Sequence, residues 1–497
     1  MDLMEKLAHL RLLDLSVPCN LLWGGSVLLP LLCHGCPGFS AFVVLGIVPS
    51  PQVEDVDRLA VIHITGTKGK GSTSAFSEAL LRARGLKTGM YVSPHLQEVR
   101  ERIRINGRPI PREMFGRYFY EIWDLLEKNK DLPTEVELPT SHPTYFRFLT
   151  LMAFHIFRAE RVEATILEVG IGGTYDATNV VSRPVACGIV SIGLDHEAVL
   201  GNTIASIAEH KAGIMKENVP AFTDRQLPEA AEVLARFALT LRAPLFLIPA
   251  LDQYRGYSPA TLRLGIPGRH QLSNAALALA LTKTWLGFRR GELPTAAQFA
   301  EPGFRDSGAP FQLELTAEEA KALEETTWEG RCQVIPLPQS GVRLFVDGAH
   351  TLESLTACVA WFRESARPDA PRALVCNFSF DRNPARLLRP LMELHRETPF
   401  GQVVFSPNVA TLEGSKGDTL NNMAPPNPDL SFQQNLRKAW EEAGCGPATV
   451  APTVTDALQL IATFQGDEKA AMDTDVLITG SLHLVGATLN VVGHEVK

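Results

Sequence analysis

The chain has 497 residues, which is more than one hydrophobic core usually serves, so we expect two domains. A composition of 45% hydrophobic and 21% charged residues is typical of a soluble globular enzyme. The formal net charge of −8 argues against a nucleic-acid-binding protein, because phosphate contacts need clustered Lys and Arg. A basic run at residues 100, 102, 104 and 108 is interpreted either as a solvated hairpin or loop or as a contact for an anionic substrate.

The first 52 residues differ from the rest of the chain. Residues 15–53 contain no Asp, Glu, Lys or Arg, and the stretch 21–48 is long enough to span a bilayer. Pro30, Pro37 and several glycines interrupt it, and they would leave backbone groups without partners in lipid. The mixed charge of the first residues disfavours a secretory signal. We interpret 1–52 first as an atypical or alternative N-terminus, second as a targeting segment and third as a membrane span.

The eight cysteines are scattered along the chain, with one Cys-x-x-Cys at Cys33 and Cys36. A zinc site would need a second ligand pair at matched spacing, and none follows in the sequence. Free thiols in a reducing compartment are the better interpretation.

After residue 53 the chain alternates strand-like and helix-like segments. An apolar strand over 59–64, a glycine loop, a helix over 73–84 and a strand over 88–92 predict the opening of a parallel α/β sheet. The next predicted elements are a helix over 146–157, strands over 164–169 and 185–194, a helix over 203–216 and a helix from 273 to 286. Residues 287–325 are interpreted as a polar connector.

A second α/β pattern begins near residue 328. Its predicted elements are a strand over 341–346, a helix over 352–367, a strand over 373–377, a helix over 384–394, a strand from 403, a long loop over 407–430, a helix over 431–443 and a strand over 475–479. The two patterns place a domain boundary near residue 325.

The glycine loop at 66–72 carries the strongest chemical signal. Glycines let the backbone fold around phosphate oxygens, and the N-terminus of the following helix favours negative charge. Lys70 would bring a positive charge to the β- and γ-phosphates, and Ser72 would offer a hydroxyl to Mg²⁺. Gly71 between them departs from the usual Walker spacing. The alternative is a glycine-rich turn with a solvated lysine, which the flanking strand and helix disfavour.

The residues around this loop resemble a known family. Residues 62–73, Ile-His-Ile-Thr-Gly-Thr-Lys-Gly-Lys-Gly-Ser-Thr, are similar to the signature of the folylpolyglutamate synthases, which belong to the Mur ligase superfamily. Further motifs resemble the same family and follow in its order, at 93–96, 101–107, 168–173, 195–196, 211–214, 330–331, 347–351 and 479–486. The resemblance covers the chain from about residue 53 to its end.

This resemblance implies a fold and a reaction. The fold would be α/β, with a P-loop parallel-sheet ATPase domain over 53–325 and a smaller Rossmann-like α/β domain for glutamate ligation over 326–497. The reaction would use ATP and Mg²⁺ to join L-glutamate to tetrahydrofolate or its polyglutamates through an acyl phosphate. The expected protein is a monomer without a nucleic-acid or membrane partner, in the cytoplasm and also the mitochondrion.

The metal ligands implied by the resemblance are Ser93, Glu168 and His196. Independently, Glu168 ends an apolar strand and precedes a glycine turn, which puts a carboxylate at the ligand-binding edge of a parallel sheet. Mg²⁺ prefers such oxygen ligands. A lone histidine such as His196 is more often a structural residue whose hydrogen bonds are satisfied within the protein. Only the family context favours a role as a metal ligand.

The remaining site residues also follow from the resemblance. Lys211 matches a lysine that is carbamylated in Mur-type ligases, although on sequence alone it reads as a helix-surface residue. With Lys70 and His350 it forms the expected catalytic set. The nucleotide-binding set is Gly69, Lys70, Gly71, Ser72, Asn274, Arg331 and Asp347. Asn274, like Ser273, could instead cap a helix. Asp347 could bind ribose or a metal-bound water. The resemblance links His350 and Ser481 with glutamate binding or with domain closure.

Two rival functions stay open at this point. A dihydrofolate synthase or bifunctional enzyme would share these motifs and act on dihydropteroate. A nucleotide-binding protein that has lost catalysis is the second rival, because the helices that precede the phosphate loop in the family are represented here by residues 52–59 alone.

Overall fold

The computed structural model describes residues 56–129, 143–292, 303–305, 314–337, 341–378, 384–411, 430–464 and 474–496. The segment 1–52, Cys19, Cys33, Cys36 and most of the predicted loop over 407–430 lie outside the described residues. The chain forms two compact units. The described parts of unit 1 lie within 56–93, 102–262 and 273–323, and those of unit 2 within 94–101, 263–272 and 324–496.

Unit 1 is built on a mainly parallel sheet. Its described strands are β1 (Val61–Thr65), β2 (Thr88–Tyr91), β3 (Ile103–Ile105), β4 (Arg108–Pro109), β5 (Ala164–Glu168), β6 (Ala186–Ile189), β7 (Ala221–Thr223), β8 (Pro244–Leu247) and β9 (Gly303–Arg305). The order is β4-β3-β2-β5-β1-β6-β7-β8-β9. Strand β3 runs antiparallel to both of its neighbours, β2 and β4, and the other described pairs of this sheet are parallel. All five residues of β1 are buried, as expected for an apolar central strand covered on both faces.

Helices connect these strands. The described helices are α1 (Lys70–Ala83), α2 (Arg112–Asn129), α3 (Tyr145–Ala159), α4 (Glu197–Leu200), α5 (Ile204–Ala212), α6 (Pro228–Leu241), α7 (Gln271–Arg289) and α8 (Ala317–Glu325). The carboxyl ends of β1, β5 and β6 therefore meet at one edge of the sheet, where the loops carry the predicted site residues.

Unit 2 has its own mainly parallel sheet. Its described strands are β10 (Gln333–Leu337), β11 (Val342–Asp347), β12 (Arg372–Cys376), β13 (Gln402–Phe405), β14 (Thr449–Val450) and β15 (Asp475–Thr479), in the order β10-β11-β15-β12-β13-β14 with β10 antiparallel. The helices are α9 (Leu352–Ser365), α10 (Pro384–Glu397), α11 (Ser431–Glu442), α12 (Val454–Phe464) and α13 (Leu482–Val491).

Alternate side chains of the unit 2 strands enter two different hydrophobic clusters. Leu374 and Cys376 of β12 belong to one, whereas Ala373 and Val375 belong to the other. Because successive side chains of a strand point to opposite faces, the sheet has a buried core on each face. The predicted α/β class with two parallel-dominated sheets is confirmed.

Several local predictions were wrong. The helix predicted over 203–216 ends at Ala212, because Gly213 forms its C-cap. The stretch 287–325 is not a plain connector, since it contains β9 and α8. Helix α7 begins at Gln271, so Ser273 and Asn274 lie inside its first turn and neither is its N-cap.

The basic run after residue 99 is only partly solvated. It forms a 3₁₀ turn and the β3–β4 hairpin, as one interpretation predicted. Arg102 and Arg104 are nevertheless buried. Arg104 donates to the Gly107 carbonyl at 3.1 Å, and the Arg102 guanidinium lies 5.2 Å from the centre of the Tyr145 ring.

The five cysteines in the described part of the chain are free and buried. No helix within the described ranges is both long enough and apolar enough to cross a membrane.

Candidate functional site

Two glycines of the loop at 66–72, called the phosphate loop after its predicted role, have backbone conformations that leave no room for a side chain. Gly66 has φ 145°, and a Cβ on it would lie 2.1 Å from Cγ2 of Val190. Gly69 has φ 99° and caps α1, and a Cβ there would lie 2.3 Å from Oδ1 of Asn274. L-residues with a Cβ rarely adopt such angles. The loop therefore needs glycine at both positions, and Asn274 lies directly against it.

The phosphate loop is held to the loop that follows β6. The amides of Thr67 and Lys68 both donate to the Ser191 carbonyl, at 2.9 and 3.2 Å. The Lys68 ammonium donates to Asp195 at 2.8 Å. These contacts explain why Asp195, the residue before His196, belongs to the same site although it is distant in sequence.

Two lysines from different helices converge on one carbonyl oxygen of this loop. Nζ of Lys70 lies 3.2 Å and Nζ of Lys211 lies 2.8 Å from the oxygen of Gly66. Lys211 is only 3% exposed, so the alternative of a helix-surface lysine is wrong. Burial, with the neighbouring Lys70 charge in second place, lowers the pKa of Lys211 from 10.5 to about 7, while Asp195 opposes the shift. The structure therefore brings the predicted catalytic residues Lys70 and Lys211 together at one point of the loop.

Glu168 lies at the carboxyl end of β5, beside β1. It is 4% exposed, and its Oε2 accepts a 3.4 Å hydrogen bond from the amide of Ser93, which follows β2. The Cα register pairs Glu168 with Ile64, two residues before Gly66. The structure thus brings Ser93 and Glu168 together at the sheet edge that carries the phosphate loop.

His196 caps the short helix α4 with a left-handed backbone, φ 52°. Partial burial of its ring lowers its pKa to about 4, although the residue as a whole is open to solvent. The Asp195 charge opposes this shift, and the charges of nearby lysines act with it. The imidazole is therefore neutral at pH 7 and able to offer a lone pair. Across the described ranges, no three His, Cys, Asp or Glu side chains cluster closely enough to hold a metal without other ligands.

Ser72 and Gly71 lie in the first turn of α1, directly after Lys70. Ser72 is buried, whereas Gly71 is half-buried. The structure therefore places the predicted nucleotide-binding residues of unit 1 on one loop and one helix start, with Asn274 of α7 packed against them.

The predicted residues of unit 2 gather at the carboxyl edge of its own parallel sheet. The Asp347 carboxylate, at the end of β11, accepts from the amides of Cys332 (2.8 Å) and Ala349 (2.9 Å). Nδ1 of His350 lies 2.7 Å from the Gly348 carbonyl. Because a carbonyl only accepts, that nitrogen carries a proton.

Ser481 and Arg331 belong to the same edge. Ser481 follows β15 and caps α13 by accepting from the amide of His483 at 3.2 Å. Arg331 precedes β10, which pairs antiparallel with β11, and its Nη1 donates to Gly330 at 3.1 Å.

The sequence analysis did not identify Asn179, whose side-chain amide links two parts of the site through hydrogen bonds at both its nitrogen and its oxygen. Nδ2 donates to the carbonyls of Thr174 (3.0 Å) and Gly213 (3.1 Å), and Oδ1 accepts from Lys216 at 2.8 Å. It thereby ties the glycine turn after Glu168 to the end of the helix that carries Lys211. The only available signal was a polar cluster at 174–179, directly after the glycines.

Comparison with known proteins gives a consistent result. A scan against models of protein families finds no match. A mitochondrial folylpolyglutamate synthase from Bos taurus is 40% identical, over 88% of this chain and 84% of its own length. A folylpolyglutamate synthase from Mycobacterium tuberculosis, complexed with ADP, superposes with a TM-score of 0.72 and 24% identity over the full length of both chains.

A bifunctional folylpolyglutamate synthase/dihydrofolate synthase from Yersinia pestis, complexed with AMPPNP and a Mn ion, has a TM-score of 0.64 and 25% identity, over 91% of this chain and 93% of its own. The identity to the Bos taurus protein and the shared two-sheet fold establish that this chain belongs to the folylpolyglutamate synthase family.

Proposed function

We propose that this chain uses ATP to join L-glutamate to the γ-carboxylate of a tetrahydrofolate or of its polyglutamate tail. The observation that carries the proposal is the convergence of Lys70 and Lys211 on the Gly66 carbonyl, with Glu168 at the end of the neighbouring strand. This arrangement offers the Lys70 cation and backbone amides to a polyphosphate, and the Glu168 carboxylate to its metal ion.

The residues present suit magnesium. Glu168 and Ser93 offer the carboxylate and hydroxyl oxygens that this ion prefers, and neutral His196 adds a nitrogen. When bound, Mg²⁺ stabilises the negative charge of the transferring phosphoryl group. We propose that Ser93, Glu168 and His196 hold it, and that Gly69, Lys70, Gly71, Ser72 and Asn274 hold the nucleotide.

The reaction needs no side-chain nucleophile. A γ-carboxylate oxygen of the folate attacks the γ-phosphorus of ATP, the bond to ADP breaks, and an acyl phosphate forms. The amino nitrogen of L-glutamate then attacks the acyl carbon and loses a proton, and inorganic phosphate leaves with the C–O bond electrons. Lys70 would act throughout as a positive charge beside the transferred group.

We propose that Lys211 works as a carbamate. A pKa of about 7 leaves much of its amine neutral at physiological pH, and a neutral amine can attack the carbon of CO₂ and release one proton. The product is an anion in place of a cation. Its position beside Lys70 would then become a charge pair instead of a repulsion.

For unit 2 the proposal assigns Arg331 and Asp347 to ATP, and His350 and Ser481 to L-glutamate. The support is their common position at the carboxyl edge of a parallel sheet, which is where ligands bind in such folds. We propose 53–325 and 326–497 as the corresponding ATP-binding and glutamate-ligase domains.

Incubation of the full chain with ATP, Mg²⁺, labelled L-glutamate and either tetrahydrofolate or dihydropteroate tests the function. The proposal expects ADP release and label transfer with tetrahydrofolate, and their loss in Lys70→Met but not in Lys87→Met, a lysine outside the phosphate loop. Transfer to dihydropteroate alone would identify a dihydrofolate synthase. Nucleotide binding without ADP release would identify a protein that has lost catalysis.

Relatives named as mitochondrial enzymes support a mitochondrial form of this family. We propose that this chain acts as a monomer in the cytoplasm and in the mitochondrion. Light scattering of the purified chain and fractionation of cells that express it test the two statements.

A further inference from the structure

A histidine lies in the middle of β1, a fully buried strand of unit 1. His63 of β1 has no exposed surface, and apolar residues surround it in the sequence. A polar ring in such a place is costly unless it is hydrogen-bonded. Its Nε2 lies 2.8 Å from Oγ1 of Thr178, a residue 115 positions away. Burial lowers the pKa of His63 to about 3, so the ring is neutral.

The direction of that hydrogen bond follows from the next one. Oγ1 of Thr178 donates to Oδ1 of Asp176 at 2.6 Å. A hydroxyl has one proton, so toward His63 it acts as acceptor, and Nε2 of His63 carries the ring proton. Nδ1 of His63 is buried without a hydrogen-bond partner. Buried N–H donors without a partner are rarer than such acceptors, which favours the tautomer with Nδ1 unprotonated.

These hydrogen bonds form a relay from His63 through Thr178 to Asp176, and the relay ends on the turn that follows Glu168. The second carboxylate oxygen of Asp176 accepts from the amides of Gly170 and Ile171, both at 3.1 Å. The path of this turn has little freedom, because a Cβ on Gly170 would lie 2.6 Å from the Phe146 ring and 3.1 Å from Asp176. The backbone two residues after Glu168 is therefore held by a carboxylate that both the hydroxyl and the backbone amide of Thr178 orient.

We propose that His63 is a positioning residue: its Nε2–H orients Thr178, Thr178 orients Asp176, and Asp176 sets the turn that aims Glu168 at the metal. The inference rests on the proposed role of Glu168 as a magnesium ligand. The hydrogen bond of His63 goes to Thr178 and not to a proposed metal ligand, so His63 would act only through the relay. Loss of the Nε2–H donor should weaken magnesium-dependent nucleotide binding. Substitution of a residue that orients a metal ligand typically lowers metal affinity about 10–100-fold.

Nitrogen NMR of the full chain with ¹⁵N-labelled histidine tests the tautomer without any ligand. We expect His63 to show a protonated Nε2 and an unprotonated Nδ1 at neutral pH. A protonated Nδ1, or a doubly protonated ring, would overturn the proposal, since Thr178 could not then be oriented as described.

Paired variants test the positioning role. Calorimetric titration with a non-hydrolysable ATP analogue measures the Mg²⁺ concentration needed for half-maximal binding. We expect His63→Leu to raise it about tenfold or more, and His63→Gln, whose amide N–H can replace the Nε2 donor, to restore it. Ile62→Val, one residue away on the same strand, should lower the unfolding temperature without changing the Mg²⁺ requirement.

Equal Mg²⁺ requirements for His63→Leu, His63→Gln and the original chain would overturn the positioning role of His63 and leave the proposed metal site standing. If His63→Leu does not fold, Thr178→Val removes the relay hydroxyl at nearly constant volume, and the same criterion applies. An original chain whose nucleotide binding does not depend on Mg²⁺ would instead overturn the proposed metal site, and the inference with it.

Discussion

Replacement of Lys211 by Met should make the chain more stable and inactive. The lysine is 3% exposed, and burial lowers its pKa from 10.5 to about 7. At pH 7.5 folding therefore removes a proton that the unfolded chain would keep, which costs about 4 kcal/mol. The hydrogen bond to Gly66 returns about 1 kcal/mol. Met fills a similar volume without the amine, so we expect Lys211→Met to raise the free energy of unfolding by about 3 kcal/mol.

The gain should depend on pH in a defined direction. Between pH 7 and 10.5 the unfolded original chain binds a proton at Lys211 that the folded chain does not. The free energy of unfolding of the original chain therefore rises with pH in this range, whereas Lys211→Met lacks the group that causes the rise. The two should become similar near pH 10.5. Urea unfolding of both proteins at several pH values, in buffers freed of bicarbonate, measures the difference.

A carbamate on Lys211 would change the result in a recognisable way. Bicarbonate should then stabilise the original chain and leave Lys211→Met unchanged. Equal or lower stability of Lys211→Met at pH 7.5 without bicarbonate, or a gap that stays constant from pH 7 to 10, would refute the reasoning from burial.

Three further predictions follow from the geometry. Gly69→Ala should abolish nucleotide binding in calorimetry, because the new Cβ would meet Asn274 at 2.3 Å, whereas Gly85→Ala shares a positive φ without a close neighbour and should bind normally. Glu168→Gln should raise the Mg²⁺ concentration for half-maximal ADP release at least about tenfold, and an unchanged requirement would exclude it as a ligand. The buried Asp475 carboxylate pairs with Arg343 and Arg367, each at 2.7 Å. Asp475→Asn should lower the free energy of unfolding by about 3–5 kcal/mol, since it leaves both arginines without this partner. The pKa of Asp475 is lowered by these hydrogen bonds despite burial, so its contribution should be present above its unfolded pKa and be lost as the pH falls in acid titration.

Local patterns in the sequence were sufficient to place the loop at 66–72 and Glu168 in the fold. A buried strand, a glycine loop and a helix start are defined by neighbouring residues, and the order of such elements predicts a parallel sheet. Within that sheet, strand ends share one edge, so a carboxylate at the end of β5 had to lie near the loop after β1. Helix ends were less well predicted: Gly213 ends α5, and α7 begins two residues before Ser273.

The burial of Lys211 and the relay from His63 to Asp176 were decided only by the tertiary structure. Each depends on contacts between residues more than a hundred positions apart, such as Lys211 with Gly66 and His63 with Thr178. Sequence alone therefore determined which chemical groups stand at the sheet edge. The fold determined which of them lose water and which partners orient them, because desolvation and hydrogen-bond direction are properties of the packed chain.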